Sequence, residues 1–267
     1  MTDIAFIGAG RMASAIIDGL ISSDPAAAQR IICYSATGRS AEALKERTGI
    51  RQAEDLTELL AQASSAVIAF KPQHLGTADP RLADLTAGKL VISVLAAKTL
   101  ASLSAVFPRA RNIVRTMPNT PSAIGAGITG WSALHDLTAD DRSAITTMLS
   151  SIGQQIEIPE SKIDALMGVS GCGPAFVFEF TGALRDGGVA AGLTSAEAEK
   201  LAVATVLGAA RLMARSPSSP EELRDQVTSP NGTTYAGLQR LVAHDFRGIM
   251  QEVVLAAKAR SEELAQD

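Results

Sequence analysis

The start of this 267-residue chain constrains its fold more than any later stretch does. Residues 3–7 have the composition of a buried parallel strand, and residues 16–21 carry apolar side chains at helical spacing. Between them lies the turn Gly8-Ala9-Gly10-Arg11-Met12-Ala13, which matches the pattern G-x-G-x-x-G/A. A strand, this turn and a helix in that order predict an α/β domain with a doubly wound (Rossmann-type) sheet. We expect it to bind a dinucleotide through residues 8–13.

Three positions of the turn explain why this pattern suits a dinucleotide. Gly8 permits a tight turn, Gly10 leaves room for a pyrophosphate, and Ala13 lets the helix pack closely on the strand. The helix N-terminus favours phosphate because its first amide groups have no partners within the helix and its dipole is positive there. We therefore expect the pyrophosphate to lie against this turn.

The end of the next strand, residues 30–34, indicates which dinucleotide is bound. An NAD-binding domain usually places an acidic residue there to hold the ribose 2′-hydroxyl, but residues 30–41 contain no Asp or Glu. Ser35, Thr37 and Arg39 stand there instead. Because a carboxylate repels a 2′-phosphate whereas hydroxyl and guanidinium groups bind it, the sequence favours NADPH, with NADH as an alternative. Arg39 could instead be a solvated residue at the start of a helix over residues 40–48.

Three further buried strands are predicted at residues 65–70, 89–95 and 111–116. Each ends in a turn, and ligands of doubly wound sheets bind beside the carboxyl ends of the strands. A helix over residues 137–152 and an edge strand over residues 155–158 follow. We expect this part of the chain to form one doubly wound sheet with its ligand at the carboxyl ends of the strands.

The pattern changes after Pro159, where strand alternation gives way to alanine-rich helical periodicity. A helical stretch over residues 160–169 is followed by an interruption, and a further helix runs from Pro174. Thr194 and Glu197 have the spacing of a capping box at the start of a helix over residues 195–215. We place the domain boundary here, with a dinucleotide-binding domain at residues 1–159 and an all-α domain at residues 160–267.

A short segment of the helical half, residues 223–238, combines a helix end, a helix start and a glycine. Thr228 and Ser229 are good N-cap types, and Pro230 suits the first turn of a helix. The segment predicts that Gly232, Thr233 and Thr234 present outward-facing amides at a helix N-terminus, which would bind an anion. An ordinary capped turn between two helices is the alternative.

The segment 223–238 resembles the signature of the pyrroline-5-carboxylate reductase family. Three other stretches are similar to family motifs: Lys71-Pro72-Gln73, Met117-Pro118-Asn119-Thr120-Pro121 and Ser170-Gly171-Cys172-Gly173-Pro174. Together these stretches span nearly the whole chain. The resemblance implies reduction of 1-pyrroline-5-carboxylate, a cyclic imine carboxylate, to L-proline with NADPH, the last step of proline biosynthesis.

The resemblance also implies roles for particular residues. Thr234 would be the catalytic hydroxyl that orients or relays the proton gained by the imine nitrogen, and Glu160 would lie near the substrate and favour an iminium ion. An acidic residue at a helix start is an equally good interpretation of Glu160. The substrate carboxylate would bind at Ser229, Asn231, Gly232, Thr233 and Thr234. Further cofactor contacts would come from Ala69, Phe70, Lys71, Pro72, Ala96, Ala97, Asn119 and Gln226, the last reaching the cofactor of a facing domain.

Three residues depart from the family pattern. Cys172 replaces a serine, and we interpret it as a small packing residue because no histidine that could activate a thiolate lies nearby in the sequence. Lys98 stands where many relatives have glycine. Asp55 stands near a position where relatives often have asparagine, and we expect it only to cap the helix over residues 56–61.

Composition excludes several other classes of function. The net charge of −4 gives no support for a nucleic-acid or membrane partner, and the chain has no apolar run near the roughly 20 residues that span a bilayer. The two cysteines are far apart, and the three histidines, His74, His135 and His244, are scattered, so no metal site is predicted. We expect a cytoplasmic protein. His74 follows the Lys71-Pro72-Gln73 turn and could lie near the cofactor, but we favour a solvated loop residue.

The helical half also predicts assembly. Residues 201–213 carry apolar side chains on most faces of a helix, which indicates burial on several sides. About 110 residues of helix rarely provide such burial alone, so we expect an interlocked homodimer, with a higher assembly left open. Two other functions remain open: hydride transfer to a different imine or to a hydroxy acid, and NADP(H) binding without catalysis.

Overall fold

A computed structural model of the chain describes residues 3–266. Its central element is one eight-stranded sheet with the strand order β3-β2-β1-β4-β5-β6-β7-β8. The strands are β1 (Asp3–Ile7), β2 (Ile31–Tyr34), β3 (Arg51–Gln52), β4 (Ala63–Ile68), β5 (Leu90–Ser93), β6 (Asn112–Met117), β7 (Gly127–Ala133) and β8 (Gly153–Glu157). The order reverses direction between β1 and β4, as the doubly wound prediction requires.

Helices cover both faces of the sheet. They are α1 (Arg11–Ser23), α2 (Arg39–Thr48), α3 (Leu56–Ala61), α4 (Leu82–Leu85), α5 (Leu100–Val106) and α6 (Ala139–Ser150). Because side chains alternate along a strand, Phe6 and Val67 face one hydrophobic core, which α1 and α6 cover, whereas Ala5 and Ala66 face a second core on the other side. The Rossmann-type prediction for the first half is confirmed.

Strand β7 was not predicted. It runs antiparallel to β6 and parallel to β8, and the predicted edge strand is β8, which lies at the sheet edge. Glycines explain both the weak strand signal of β7 in the sequence and its close pairing with β8. A Cβ on Gly153, where φ is +136°, would lie 2.1 Å from the Gly127 carbonyl oxygen. Residues without side chains give no alternation of apolar and polar positions, although they permit close backbone approach.

The helix predicted over residues 160–169 is not continuous. A 3₁₀ turn (Glu160–Lys162), a short helix α7 (Ile163–Leu166) and a π-helical turn (Met167–Gly171) succeed one another. Contacts divide the chain into a first unit, residues 1–171 together with 257–267, and a second unit, residues 172–256. The division lies beyond the predicted boundary at residue 159 because Glu160 and Asp164 hydrogen-bond to groups of the first unit. The position of the boundary between the two functional domains remains a prediction.

The second unit is entirely helical in its regular structure. Its helices are α8 (Gly173–Ala190), α9 (Ser195–Arg215), α10 (Pro220–Gln226) and α11 (Thr233–Ala243), and α12 (Phe246–Gln266) continues into the first unit. The capping box of Thr194 and Glu197 at the start of α9 is confirmed. A second capping box, Ser219 with Glu222, starts α10.

Apolar side chains of the second unit are mostly exposed. Among its described hydrophobic residues only Ala198 and Ala202 are buried, while Phe178 is 69% exposed. One helical stretch in the described chain, Glu160–Ala190, is long and apolar enough to cross a membrane by length and composition alone. This is weak evidence, because a helix that is buried against another protein surface meets the same criterion.

Candidate active site

A cleft with a volume of about 640 Å³ opens in the first unit, at the carboxyl ends of β1, β2 and β4. Eight residues of the predicted cofactor site line it: Gly8, Ala9, Gly10, Ser35, Thr37, Ala69, Phe70 and Lys71. They come from three separate strand-to-helix connections, which the parallel order of the sheet brings to one edge. The cleft therefore lies where a doubly wound sheet binds its ligand.

The glycine turn has two positions with different physical demands. Gly8 has φ +109°, and a Cβ there would lie 2.5 Å from the carbonyl carbon of Ala69, so a side chain does not fit. Gly10 is the N-cap residue of α1, and a Cβ on it would meet nothing within 4 Å. The space above Gly10 thus faces the cleft and leaves the start of α1 open to a phosphate.

The other residues of the turn are outside the cleft lining. Ala13 is fully buried in the core that α1 shares with the sheet, which fits its predicted packing role. Met12 packs against the same core, and Arg11 is exposed. Pro72 begins the 3₁₀ turn that follows Lys71 and also does not line the cleft. The cofactor contacts predicted for these residues remain predictions.

The connection after β2 is compact, and a glycine is the N-cap residue of α2. The Ser35 hydroxyl accepts a hydrogen bond from the Ala41 amide at 3.3 Å, and the Ser35 carbonyl accepts one from the Gly38 amide at 2.9 Å. Gly38 has φ +74° and precedes Arg39, the first residue of α2. The Arg39 side chain is exposed and has no hydrogen bond or ion pair with any part of residues 3–266. Arg39 is not among the residues that line the cleft, so its predicted contact with a 2′-phosphate remains a prediction.

Apart from the alternative stated for His74, sequence reasoning did not predict one wall of the cleft. This wall is formed by Tyr34, Leu56, His74, Thr77, Ala78, Asp79 and Leu82. Most of these residues follow the Lys71-Pro72 turn, so their position after the carboxyl end of β4 was the available signal. His74, expected to be a solvated loop residue, is exposed on this wall. Asp79 is fixed by Arg81, and hydrogen bonds from the Arg81 guanidinium lower the pKa of its carboxyl group.

The expected helix-capping role of Asp55 agrees with the structure. Its carboxylate accepts a hydrogen bond from the Glu58 amide at 2.8 Å, at the N-terminus of α3. The Glu58 carboxylate in turn accepts one from the Glu54 amide at 2.7 Å. These acidic side chains are used locally, and Leu56 beside them contributes an apolar contact to the cleft.

The glycine-like position after β5 is Ala97, not Lys98. Ala97 has φ +57°, a left-handed conformation that favours glycine, and its side chain is buried. Lys98 has no such conformation. Ala96 and Ala97 lie in the loop after β5, beside the strand whose end lines the cleft, but they are outside its lining.

Asn119 is buried, and both ends of its amide are bonded within the first unit. Its side-chain NH₂ donates to the Ser170 carbonyl at 3.1 Å, and its side-chain oxygen accepts from the Ile128 amide at 3.0 Å. These bonds hold the Met117–Pro121 loop to β7 and to the π-helical turn. The predicted contact of Asn119 with nicotinamide therefore remains a prediction beside an evident structural role.

Glu160 is also engaged by the protein. One carboxylate oxygen, Oε1, accepts hydrogen bonds from the Leu100 amide at 2.6 Å and from the Arg115 guanidinium at 3.1 Å. The side chain is about one-third exposed. These bonds do not test the predicted contact between Glu160 and the substrate. They explain the position of the Glu160 side chain better than its location at a helix start alone does.

The predicted anion segment of the second unit starts its helix later than expected. Helix α11 begins at Thr233 with Gly232 as N-cap, and Asn231 has φ +58°. Ser229 and Pro230 precede the helix, because the Gly232 amide donates to the Ser229 carbonyl at 3.0 Å and closes a turn. A Cβ on Gly232 would lie 2.3 Å from the Ser229 hydroxyl oxygen. A side chain at this position would therefore require the Ser229 hydroxyl to move.

This geometry reduces the number of groups that could bind an anion in the predicted site. The Thr228 hydroxyl donates to the Arg224 carbonyl at 2.6 Å, so Thr228 completes the end of α10 and does not cap α11. The Gly232 amide is used within the turn, which leaves the first amides of α11, at Thr233 and Thr234, as the available donors. Both threonines are exposed, as is Gln226 at the end of α10.

The cysteines show no features of a reactive centre. Burial raises the pKa of the Cys33 thiol to about 11, which keeps it protonated at neutral pH. Cys172 is partly buried and is the N-cap residue of α8. In the described part of the chain, no group of three or more His, Cys, Asp or Glu side chains could hold a metal ion.

Fold and cleft define a class, the oxidoreductases with a Rossmann-type dinucleotide domain and an appended helical domain. Residues 3–97 match the family model described as NADP oxidoreductase, coenzyme F420-dependent. Residues 160–264 match the model described as pyrroline-5-carboxylate reductase dimerisation. The chain is 40% identical to the pyrroline-5-carboxylate reductase of Synechocystis, over 98% of each chain. It belongs to the pyrroline-5-carboxylate reductase family.

Solved structures agree with this assignment. The chain superposes on a pyrroline-5-carboxylate reductase from Coxiella burnetii with a TM-score of 0.92 and 33% identity, covering 99% of this chain and 98% of that one. A pyrroline carboxylate reductase from Plasmodium falciparum, crystallised with NADP bound, gives a TM-score of 0.86 at 26% identity, with coverage of 99% and 98%. The resemblance first seen in short motifs therefore extends over the whole chain.

Proposed function

We propose that this chain is a pyrroline-5-carboxylate reductase that converts 1-pyrroline-5-carboxylate to L-proline with NADPH, the last step of proline biosynthesis. The observation that carries the proposal is 40% identity with a curated reductase over 98% of both chains. The glycine-turn cleft of the first unit and the intact segment from Ser229 to Thr234 in the second unit support it independently.

The cofactor is NADPH in preference to NADH. The exposed Arg39 guanidinium and the Ser35 and Thr37 hydroxyls lie in the connection that follows β2, where a 2′-phosphate would need positive charge and donors. The start of α1 at Gly10 would hold the pyrophosphate. The residues present thus fit a phosphorylated dinucleotide.

The protein's part in the chemistry is to position the imine and its carboxylate. A bound reduced nicotinamide supplies a hydride to the imine carbon, and the imine nitrogen gains a proton from water or arrives already protonated. The amides of Thr233 and Thr234 hold the substrate carboxylate, together with Ser229, Asn231 and Gly232. The Thr234 hydroxyl orients or relays the proton at nitrogen. Its own proton is too weakly acidic for outright acid catalysis.

The helical half forms the interface of a homodimer. The exposed apolar side chains of α8, α9, α11 and α12 make a surface that a soluble monomer would rarely leave in water. In the dimer, Gln226 of one protomer reaches the cofactor of the facing domain. Assembly of dimers into a larger oligomer, a cytoplasmic location and the absence of nucleic-acid or membrane partners are further expectations.

The direct test is turnover of the imine. Purified protein, NADPH and 1-pyrroline-5-carboxylate are mixed, and nicotinamide absorbance is followed beside product detection. Replacing the imine by other cyclic imines and by hydroxy acids separates this activity from related hydride transfers. Tight NADPH binding with no turnover of any substrate would reject the proposal in favour of a non-catalytic NADP(H)-binding protein.

Thr234→Ala tests the assigned hydroxyl. Loss of one hydrogen bond near developing charge should lower kcat by roughly 10- to 100-fold. Thr234→Ser, which keeps the hydroxyl, should retain most of the activity and is the matched control. Equal rates for the alanine variant and the unchanged protein would remove Thr234 from the mechanism.

Arg39→Ala tests the cofactor assignment. We expect the KM for NADPH to rise roughly 10-fold or more while the KM for NADH changes little, because only NADPH carries the 2′-phosphate. Lys45→Ala removes a cation from the exposed side of the same helix and should affect neither constant. A similar rise for both cofactors would contradict a 2′-phosphate contact.

A further inference from the structure

The loop between β5 and α5, residues 94–99, has an unusual conformation for its sequence. Ala97 has φ +57° and is only 7% exposed, so a buried alanine adopts a left-handed conformation that alanine otherwise avoids. Such a conformation persists only where the surrounding structure holds it. The contacts at the two ends of the loop are therefore informative.

The first end is fixed by strand residues. The Ser93 hydroxyl oxygen accepts a hydrogen bond from the Leu95 amide at 3.2 Å, and the Ser93 carbonyl accepts one from the Thr116 hydroxyl at 2.8 Å. Ser93 and Thr116 are both fully buried. The loop therefore leaves β5 in a direction set by two neighbouring strands.

The second end is fixed from a distant part of the chain. The Leu100 amide, the first of α5, donates to Glu160 Oε1 at 2.6 Å across 60 residues of sequence. The Thr99 hydroxyl accepts from the Ser102 amide at 3.1 Å and caps the same helix. The Glu160 carboxylate thus holds the point at which the loop becomes helix.

Glu160 is itself held by a buried guanidinium. Arg115, on β6, is only 4% exposed, and its Nη1 donates to the same Glu160 oxygen at 3.1 Å. Its Nη2 lies 3.4 Å from Asp164 Oδ1. A buried guanidinium with two carboxylate partners directs the Glu160 side chain towards α5.

The network ends near the C-terminus. The buried Ser261 hydroxyl donates to Asp164 Oδ1 at 2.8 Å, and Ser261 lies in the part of α12 that belongs to the first unit. Four side chains, those of Ser261, Asp164, Arg115 and Glu160, therefore connect the end of the chain to the Leu100 amide.

We propose that Glu160 is a positioning residue for the nicotinamide end of the cofactor, acting through the loop of residues 96–99, and that Arg115, Asp164 and Ser261 support it. The proposal rests on the proposed function only in placing nicotinamide beside Ala96 and Ala97. This role differs from a contact between Glu160 and the substrate. Glu160 Oε1 accepts its hydrogen bonds from protein groups, the Leu100 amide and the Arg115 guanidinium, and we place these groups on the cofactor side of the reaction.

The experiment compares Glu160→Ala, Glu160→Gln and Ser261→Ala in the full-length protein. The Kd for NADPH is measured by cofactor fluorescence without imine, and the KM for imine at saturating NADPH. We expect Glu160→Ala to raise the NADPH Kd about 10-fold. Glu160→Gln, which retains an oxygen acceptor but loses the charge, and Ser261→Ala should each raise it about 2- to 4-fold. The KM for imine should stay within a factor of two.

Hydrogen exchange adds a local readout. Amides of residues 96–103 should exchange faster in Glu160→Ala than in the unchanged protein, and NADPH should protect them less. Asp141→Asn is the matched control, since it disrupts another arginine–carboxylate pair, Arg111–Asp141, next to the same strand. It should lower thermal stability without changing the NADPH Kd.

Two results would overturn the proposal. One is a raised KM for imine with an unchanged NADPH Kd in Glu160→Ala, which would return Glu160 to a substrate contact. The other is a rise in the NADPH Kd of Asp141→Asn as large as that of Glu160→Ala at a similar loss of thermal stability, which would show that the Kd follows stability alone. Because the NADPH Kd and hydrogen exchange are measured without imine, failure of the reductase activity itself would remove only the KM comparison and leave these two measurements intact.

Discussion

The two units of this chain use their apolar residues in opposite ways. The first unit buries large side chains such as Phe6, Phe107 and Trp131 in cores on both faces of its sheet. In the second unit, Ala198 and Ala202 are the only buried hydrophobic residues described. Hydrophobic residues make up 46% of the whole chain, so composition alone does not distinguish the two cases. The difference lies in whether a segment can cover its own apolar surface.

Local helix signals, by contrast, are strong in the second unit. Capping boxes start α9 and α10, so residues close in sequence, and not contacts with a sheet, define where these helices begin. Such signals define where a helix begins but contribute only about 1 kcal/mol each. They cannot replace the burial of side chains such as Phe178. We infer that the second unit gains most of its stability from a partner protomer.

The largest expected effect comes from a charge on the exposed face of α8. Phe178→Asp should weaken the homodimer by roughly a thousandfold or more. The dimer interface would lose one buried phenylalanine from each protomer, and burial of each side chain stabilises by about 1.5–3 kcal/mol. The aspartate that replaces it would also have to be buried as a carboxylate or keep the interface open to water. Sedimentation at several protein concentrations measures the dissociation constant directly.

The control for this change lies in the first unit. Ile156 on β8 is 46% exposed, and Ile156→Asp should leave the association constant unchanged. If Phe178→Asp stays fully dimeric at nanomolar concentration, the exposed face of α8 is not the interface. The contrast between the two units would then need another explanation, such as a different binding partner.

The contrast also explains what the sequence predicted well. Strands such as β1 and β4 are short, mostly apolar runs followed within a few residues by glycine or proline, and their burial within the same unit makes the pattern dependable. β7 was missed because Gly127 and Gly130 interrupt its alternation. The start of α11 was placed too early because Ser229 and Pro230 suit a helix start, whereas the turn is closed by a backbone bond to Gly232.

The candidate site was predictable to the same extent. The turns at the carboxyl ends of strands follow from topology, and Gly8, Ser35 and Lys71 line one cleft as this topology requires. The position of His74 directly after the Lys71-Pro72-Gln73 turn was a signal that it could lie near the cofactor, whereas Asp79 depends on how the later loop folds back. The bonds of Glu160 to Leu100 and Arg115 join segments far apart in sequence, and single-sequence reasoning has no access to them.

The second prediction separates folding from binding within the glycine turn. Gly8→Ala should lower the stability of the first unit by roughly 3 kcal/mol or more, because its Cβ would overlap the Ala69 and Phe70 backbone at positive φ. Gly10→Ala should leave stability nearly unchanged, since its Cβ meets nothing, but should weaken NADPH binding. Thermal unfolding and cofactor titration of both variants measure the two effects. Equal loss of stability would contradict the different roles.

The third prediction concerns the acid stability of the first unit. The Arg111 hydrogen bond lowers the pKa of Asp141 below its ordinary value of 3.8, so the ionised form stabilises the fold. This contribution is present above the unfolded pKa, near 3.8, and is lost as pH falls through the lower folded pKa. Asp141→Asn should therefore cost about 1–3 kcal/mol at pH 7 and progressively less below pH 4.

Urea unfolding at pH 7 and at pH 3 provides the measurement. Glu197→Gln is a suitable comparison in the second unit, because the exposed Glu197 side chain is bonded only within its capping box, where glutamine can also accept from the Thr194 amide, and its effect should be small at both pH values. A constant difference between Asp141→Asn and the unchanged protein across this range would show that the Arg111 pair does not stabilise the first unit through its charge.

The smallest expected effect is at Ala97, where opposing terms nearly cancel. Glycine would relieve a left-handed conformation that costs alanine about 1–2 kcal/mol. It would also add about 0.5–1 kcal/mol of unfolded-state entropy and remove a buried methyl worth about 0.8 kcal/mol. Ala97→Gly should therefore change stability by less than about 1 kcal/mol. Ala96→Gly, at a position without positive φ, gains no such relief and should be the less stable variant. Both effects should be independent of protein concentration, because the first unit covers its own core, and the reverse order of stabilities would show that Ala97 is not strained.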